Sequence, residues 1–174
     1  MVLLIGVVFA ALASLSILWW AVRGNNQPVH SIEDVRRLLK QVDLQSFQNL
    51  IDPAQDAFLH RHLRGKALRT VQRARRVAAA DYLWHVAHNA GLLIRAGQFA
   101  RTTDNAQVAS AGRNLASVAV MTRVLALLAL ARVSIGIAFP QSIARCKPVL
   151  EQYDVMNSMY MHLGILWRSK RPAT

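Results

Sequence analysis

The chain has 174 residues, and its 21 Lys and Arg against 9 Asp and Glu give a formal net charge of +12. This length suffices for one ordinary domain core, and the charge favours a polyanionic neighbour: anionic lipid, an acidic protein face or nucleic acid. The single cysteine, Cys146, excludes an internal disulfide. Arg145 and Lys147 beside it could lower its pKa, although an unreactive thiol is the simpler interpretation.

The first element is the apolar stretch 2–22, which contains no charged residue. A helix of this length covers about 32 Å, close to the thickness of a bilayer's hydrocarbon core. Trp19 and Trp20 stand at its end, where aromatic rings favour the headgroup level. The pattern predicts a transmembrane anchor over 1–23. Two alternatives are a cleavable signal peptide, with a cut site at 11–13, and a buried core helix.

Charge beside this segment predicts its orientation. The residues before the span carry no Lys or Arg, whereas the residues after it include Arg23, Arg36, Arg37 and Lys40. The positive-inside rule therefore places the N-terminus outside and the rest of the chain in the cytoplasm. Residues 24–30, with Gly, Asn and Pro, are typical of a linker.

The remaining chain is predicted to be all-α, because apolar residues recur at helical spacing and no alternating run is long enough for a strand. We expect an antiparallel helical bundle over 31–167 and a basic tail over 168–174. Ser31, Asp52 and Asp104 are the predicted N-caps, and Gly65, Gly97 and Pro140 the predicted stops. The predicted helices cover 31–50, 52–65, 66–97, 104–139 and 148–167.

Residues 115–139 leave an alternative open, because they hold 12 Leu, Ile, Val or Phe residues and could form a second span. Arg123 and Arg132 lie inside this stretch, and each central Arg costs about 2.5–3.5 kcal/mol on the insertion scale. The balance is near zero, so the energetics do not decide. A second span would move the basic tail outside, which favours a buried bundle helix.

Asp81, His85 and His88 are the strongest candidate ligand set, since spacings of four and three place them on one helical face. Histidine with a carboxylate can bind a transition metal, and histidine alone can ligate haem. A carboxylate one turn from a histidine is also a common way to satisfy a partly buried imidazole. A di-metal bundle would need more carboxylates, so we predict no cofactor and keep a metal- or haem-binding redox module as the alternative.

A basic segment over 57–103 is the second candidate, with nine Lys or Arg and one acid, Asp81. A solvated face would explain it, but contact with anionic lipid or an acidic protein is equally consistent with the charge. Nucleic acid is less favoured, because no zinc-finger spacing, RNA-binding strand motif or aromatic interleaving is present. The residues expected to bind the partner or lipid are Arg61, Arg64, Lys66, Arg69, Arg73 and Arg76.

Enzyme chemistry has no support in the motifs. The sequence contains no G-x-S-x-G, no Gly-rich phosphate loop and no H-E-x-x-H. The expectation is a non-enzymatic, single-pass membrane protein whose bundle is an accessory or scaffold subunit of a membrane complex.

Overall fold

The computed structural model describes residues 32–138 and 146–169. The predicted anchor over 1–23, the linker over 24–30, the Ser31 cap and the Pro140 stop lie outside these ranges. Within them the chain forms helices and no strand, which confirms the all-α prediction for this part of the chain. The helices are α1 (Ile32–Leu38), α2 (Leu44–Ile51), α3 (Pro53–His62), α4 (Gly65–Arg101), α5 (Ala106–Ala138) and α6 (Lys147–Arg168).

The helix starts show which local signals were correct. Asp52 caps α3 by accepting a hydrogen bond from the backbone N–H of Ala54 at 2.9 Å, with Pro53 in the first helical turn, as predicted. The predicted cap at Asp104 is wrong. The side chain of Asn105 accepts the hydrogen bonds of the first turn of α5 instead, from the N–H groups of Gln107 at 2.9 Å and Val108 at 3.2 Å. Asn and Asp cap equally well, so the sequence alone did not choose between adjacent positions.

The single helix predicted over 31–50 is also wrong, because α1 and α2 are separated at residues 39–43. Asp43 begins α2 by accepting hydrogen bonds from the N–H and the hydroxyl of Ser46, at 3.0 and 2.6 Å. The break is held by a distant residue, Asn89 of α4. Its side chain accepts from the N–H of Lys40 at 2.9 Å and donates to the carbonyl of Lys40 at 2.7 Å. The same amide donates to the hydroxyl of Tyr153 on α6 at 3.0 Å.

The three long helices form the antiparallel core. The middle of α5 lies against the middle of α4, and Thr122 of α5 contacts the Gln152 carbonyl of α6 at 3.4 Å. The chain therefore runs up α4, down α5 and up α6, and the ends of α4 and α6 meet where the rings of Phe99 and Trp167 are 5.7 Å apart. The short helices α1 and α2 cover one side of α4 with the buried side chains of Val35 and Phe47.

Gly97 does not end the long helix, contrary to the prediction, because α4 continues to Arg101. It lies at the closest approach of α4 and α5. A Cβ on Gly97 would be 2.6 Å from the carbonyl oxygen of Gly112 and 2.9 Å from the Cβ of Ala116. A Cβ on Gly112 would be 2.7 Å from the Cβ of Ala100 and 2.8 Å from the carbonyl oxygen of Gly97. The two glycines are required for this contact between helix backbones.

This geometry predicts that replacing glycine with alanine changes the free energy of unfolding in opposite directions at Gly97 and at Gly164. Gly97→Ala should lower the free energy of unfolding by about 1–3 kcal/mol, because the added methyl group forces the two backbones apart. Gly164→Ala should raise it by about 0.5–1 kcal/mol, because a Cβ there meets nothing within 4 Å and alanine favours the helix. Urea unfolding of the full chain in mild detergent, followed by circular dichroism, measures both. A stabilising Gly97→Ala would contradict the close contact.

Candidate interaction surface

The part of the structure outside the buried core carries all six predicted binding residues. Helix α3 has no buried residue, and the first buried residue of α4 is Ala79. We call residues 53–78, which comprise α3 and the N-terminal part of α4, the basic arm. Because no residue of the arm is buried in the core, burial of apolar surface contributes little to holding it in place.

All six predicted binding residues lie in the basic arm. Five of them are exposed and Arg76 is half-buried. Asp56 is the only acid in residues 53–78. Lys66, Arg69 and Arg73 are separated by three and four residues, so they lie along one face of α4. Among the described residues, none of these three has an acid within ion-pair distance. The exposed members are Arg61, Arg64, Lys66, Arg69 and Arg73.

Arg75 belongs to the same cluster in sequence but has a different role. Its side chain is only 13% exposed, and its guanidinium lies 3.7 Å from the carboxylate of Asp56. It also donates a 2.7 Å hydrogen bond to the carbonyl of Leu50 at the end of α2. A second polar contact, between His60 and Gln72 at 2.9 Å, also joins α3 to α4. Arg75 therefore holds the arm against the end of α2, and its guanidinium is engaged within the protein.

The arm also exposes large apolar side chains. Phe58 on α3 and Val77 on α4 are 56% and 54% exposed. The ring of Phe58 stacks on His62 with centroids 4.0 Å apart. Aromatic and aliphatic groups among cations suit both a headgroup layer and a protein interface with an acidic rim.

The histidine cluster is partly assembled. Nε2 of His85 lies 3.8 Å from the carboxylate of Asp81, the ordinary contact of residues four apart on a helix. Asp81 is 69% exposed. In the part of the chain that is described, no three His, Cys, Asp or Glu residues are grouped to hold a metal ion. Burial lowers the pKa of His88, and the positive charges of Lys40, Arg95 and His85 lower it further, against the opposing effect of a hydrogen bond to the backbone of Leu38.

Helix α5 carries a second feature, an arginine that has no acid within ion-pair distance in the described part of the chain. Arg123 is half-buried, and its Nε is buried with no hydrogen-bond partner among the described residues. Its guanidinium lies over Gly91 of α4, where a Cβ would be 3.0 Å from Nη1. The neighbouring Arg95 donates to the carbonyl of Gly91 at 3.3 Å. The sequence alone indicates Arg123 only as a cost of membrane insertion, because its placement over a glycine of another helix depends on the tertiary structure.

By length and composition, residues Ala106–Ser134 of α5 could cross a membrane, although core helices of soluble proteins pass the same test. Only 33% of the most apolar window of this helix is buried in the protein. The test covers only the described residues, and the predicted anchor over 2–22 lies outside them.

Cys146 agrees with the simpler interpretation of an unreactive thiol, and its pKa shifts in the direction opposite to the alternative of a pKa lowered by basic neighbours. It is 3% exposed, and burial raises the pKa of its thiol to about 11, against the weaker opposing effect of the positive charge of Arg132. An apolar environment disfavours the thiolate more than the nearby cations favour it. The thiol is therefore unreactive at neutral pH.

No family model, curated protein or solved structure matches the chain. The features of the described residues that bear on function are the basic arm, the exposed face of α5 and Arg123, which has no ion-pair partner among them.

The environment of His88 predicts a pH dependence of stability. Because the folded state lowers the pKa of His88 below its usual 6.5, the unfolded chain binds the proton more tightly. The contribution of His88 is then fully present above pH 6.5 and is lost as the pH falls through the folded pKa. His88→Gln should flatten the fall in urea midpoint between about pH 7 and pH 5, while the exposed His162→Gln should not. Parallel curves for wild type and His88→Gln would contradict the lowered pKa.

Proposed function

We propose that this chain is a membrane-anchored accessory or scaffold subunit, which binds an acidic protein partner or anionic lipid headgroups through the basic arm. The supporting observation is that the arm lies outside the core and presents exposed cations that have no acid near them in the described chain. A stable domain gains nothing from such an arrangement, because like charges on one helix face repel each other. An anionic partner removes that repulsion.

The chemistry of the arm fits extended anionic surfaces better than a small ligand. Lys66, Arg69 and Arg73 are spread over about 10 Å along one face of α4, and none of them lines a pocket described for this structure. Each cation near an anionic leaflet contributes about 1 kcal/mol, so five exposed cations contribute enough for stable association once the chain is tethered. Guanidinium groups also bind carboxylates in bidentate fashion, which would favour Arg69 and Arg73 as contacts with an acidic protein.

The membrane part of the proposal rests on two apolar segments. Residues 2–22 have the length and composition of a span, and we propose them as the anchor, with the N-terminus outside and the bundle in the cytoplasm. A tether of this kind keeps the arm within reach of headgroups or of neighbouring subunits, which raises their effective concentration. The second apolar segment, in α5, supplies an exposed face that a neighbouring subunit could cover.

The other functions have less support. No specific observation favours the metal- or haem-binding redox module, since the Asp81–His85 contact is an ordinary helix pair. A membrane-tethered nucleic-acid binder would need to bind random duplex with a steep salt dependence, and this remains the discriminating measurement for that alternative.

A charge-reversal pair tests the arm. The test variant is Lys66→Glu/Arg69→Glu/Arg73→Glu, which changes three exposed residues without touching Arg75. The control is Arg101→Glu/Arg113→Glu/Arg168→Glu, three exposed residues at the opposite end of the bundle. Each reversal subtracts two charges, so both variants go from +12 to +6. Co-purification from native membranes and flotation with vesicles containing phosphatidylglycerol measure protein and lipid binding separately.

The arm variant should lose the association by about tenfold or more, and the control should keep most of it. A loss in flotation alone would assign the arm to lipid, and a loss of co-purifying protein alone would assign it to a partner subunit. Equal behaviour of the two variants would contradict the proposal, because total charge and not the arm would then set the binding.

A further inference from the structure

The exposed face of α5 is apolar over several turns. Val120, Met121, Val124 and Leu128 recur at helical spacing, and each is between 42% and 55% exposed. We call these four residues the apolar stripe. Large aliphatic side chains on one exposed face mark a surface that a partner covers.

The apolar stripe borders the unpaired guanidinium. Arg123 precedes Val124 and lies one turn from Val120, at the edge of α5 that faces Gly91 of α4. Its Nε has no hydrogen-bond partner in the described chain, and no acid lies within ion-pair distance of its guanidinium. Helix α5 contains no Asp or Glu at all. A half-buried cation without a counter-charge is unfavourable unless something outside the chain supplies the negative charge.

The surroundings of Arg123 favour one kind of anion. No other charged residue of α5 lies within about 13 Å along the helix, because Arg132 and Arg113 are nine and ten residues away. The neighbouring exposed side chains are those of the apolar stripe, so an occupant must present aliphatic surface together with one negative charge. A helix with a carboxylate among aliphatic side chains does both. Because the proposed bundle lies outside the bilayer, a lipid phosphate would pair with the cation but its acyl chains would not cover the stripe.

We propose that the apolar stripe is the docking face for an apolar helix of a partner subunit, and that this helix carries one Asp or Glu that pairs with Arg123. The inference rests on the proposed accessory role and deepens it by naming the chemistry of the partner. Charge complementarity supports this inference. The guanidinium of Arg123 lies over Gly91 at the edge of the apolar stripe, beside a second arginine, Arg95. A helix docked on the stripe brings its carboxylate to this point while its aliphatic side chains cover Val120 and Val124.

Gly91 has a defined part in this arrangement. Because it has no side chain, the guanidinium of Arg123 lies directly over the α4 backbone. A larger residue at this position would displace the guanidinium from the edge of the stripe. Helix packing in membranes commonly combines close contacts at small residues with polar pairs of this kind.

The test uses a synthetic probe of defined sequence. The probe is a helix of alternating Leu and Ala, long enough to span a bilayer, with Lys at both ends and one central Glu. Its twin carries Gln at the same position. The full-length protein in mild detergent is mixed with either labelled peptide at about pH 8, where the Glu is ionised when paired, and association is measured by fluorescence energy transfer.

The expected result is that the Glu peptide binds about tenfold more tightly than the Gln peptide, and that Arg123→Leu abolishes the difference. Arg101→Leu, an exposed arginine away from the stripe, should keep it. Arg123→Leu should unfold at the same urea concentration as the wild type or a higher one, because it removes an unpaired cation. That measurement excludes misfolding as the cause of lost binding.

Equal binding of the two peptides, or a preference that survives Arg123→Leu, would overturn the proposal. So would a loss of affinity of Arg123→Leu for vesicles containing phosphatidylglycerol, because lipid would then be the occupant. The arm variant Lys66→Glu/Arg69→Glu/Arg73→Glu should still prefer the Glu peptide. Failure of the arm to bind and failure of the stripe to bind are therefore distinguishable.

Discussion

The close approach of α4 and α5 at Gly97 and Gly112 is the constraint on which the rest of the structure depends. The two helices are so close here that a Cβ on either glycine would lie less than 3 Å from the opposite helix. The two backbones therefore fit together in one register. That register brings Gly91 opposite Arg123. It also places the buried part of α4 from Ala79 onward against α5 and leaves residues 65–78 outside the core. The apolar stripe lies on α5 and the cationic face of the basic arm on α4, the two helices that meet at this contact.

Polar contacts then determine how the short helices are attached. Asn89, 1% exposed, satisfies both backbone groups of Lys40 and contacts Tyr153, so a single amide joins the α1–α2 connection, α4 and α6. Arg75 joins α2, α3 and α4 in the same manner. Loss of the Asn89 amide would leave its buried polar partners without hydrogen bonds, at a cost of about 1–3 kcal/mol each. Among the described cations, Arg75 thus holds the fold, whereas Lys66, Arg69 and Arg73 face outward.

Sequence patterns predicted the helices well because apolar periodicity survives without knowledge of the neighbours. They failed where tertiary contacts decide. Gly97 looks like a helix stop, and only the presence of Gly112 opposite it shows that it is a packing site. The break at residues 39–43 depends on Asn89, which is distant in sequence. Arg75 and Arg76 are adjacent and chemically identical, so only the fold shows that Asp56 and Leu50 engage the first of them.

The candidate surfaces were predictable in part. The excess of Lys and Arg over 57–103 indicates the basic arm, because the number of like charges in a segment can be counted in the sequence. The apolar stripe was not found, since exposed and buried aliphatic residues alternate around α5 and the sequence does not show which face a neighbour covers. In the sequence, Arg123 is recognisable only as a cost of membrane insertion, whereas the structure places its guanidinium over Gly91 at the edge of the stripe.

Isolation of the full chain from its native membranes in mild detergent, at low and at moderate salt, is the decisive test of the proposed accessory role. Mass spectrometry would then identify and count the proteins and lipids retained. We expect a stoichiometric partner subunit that survives moderate salt and contains an apolar helix with an embedded acid. Isolation of the chain alone at both salt concentrations, without partner or anionic lipid, would contradict it.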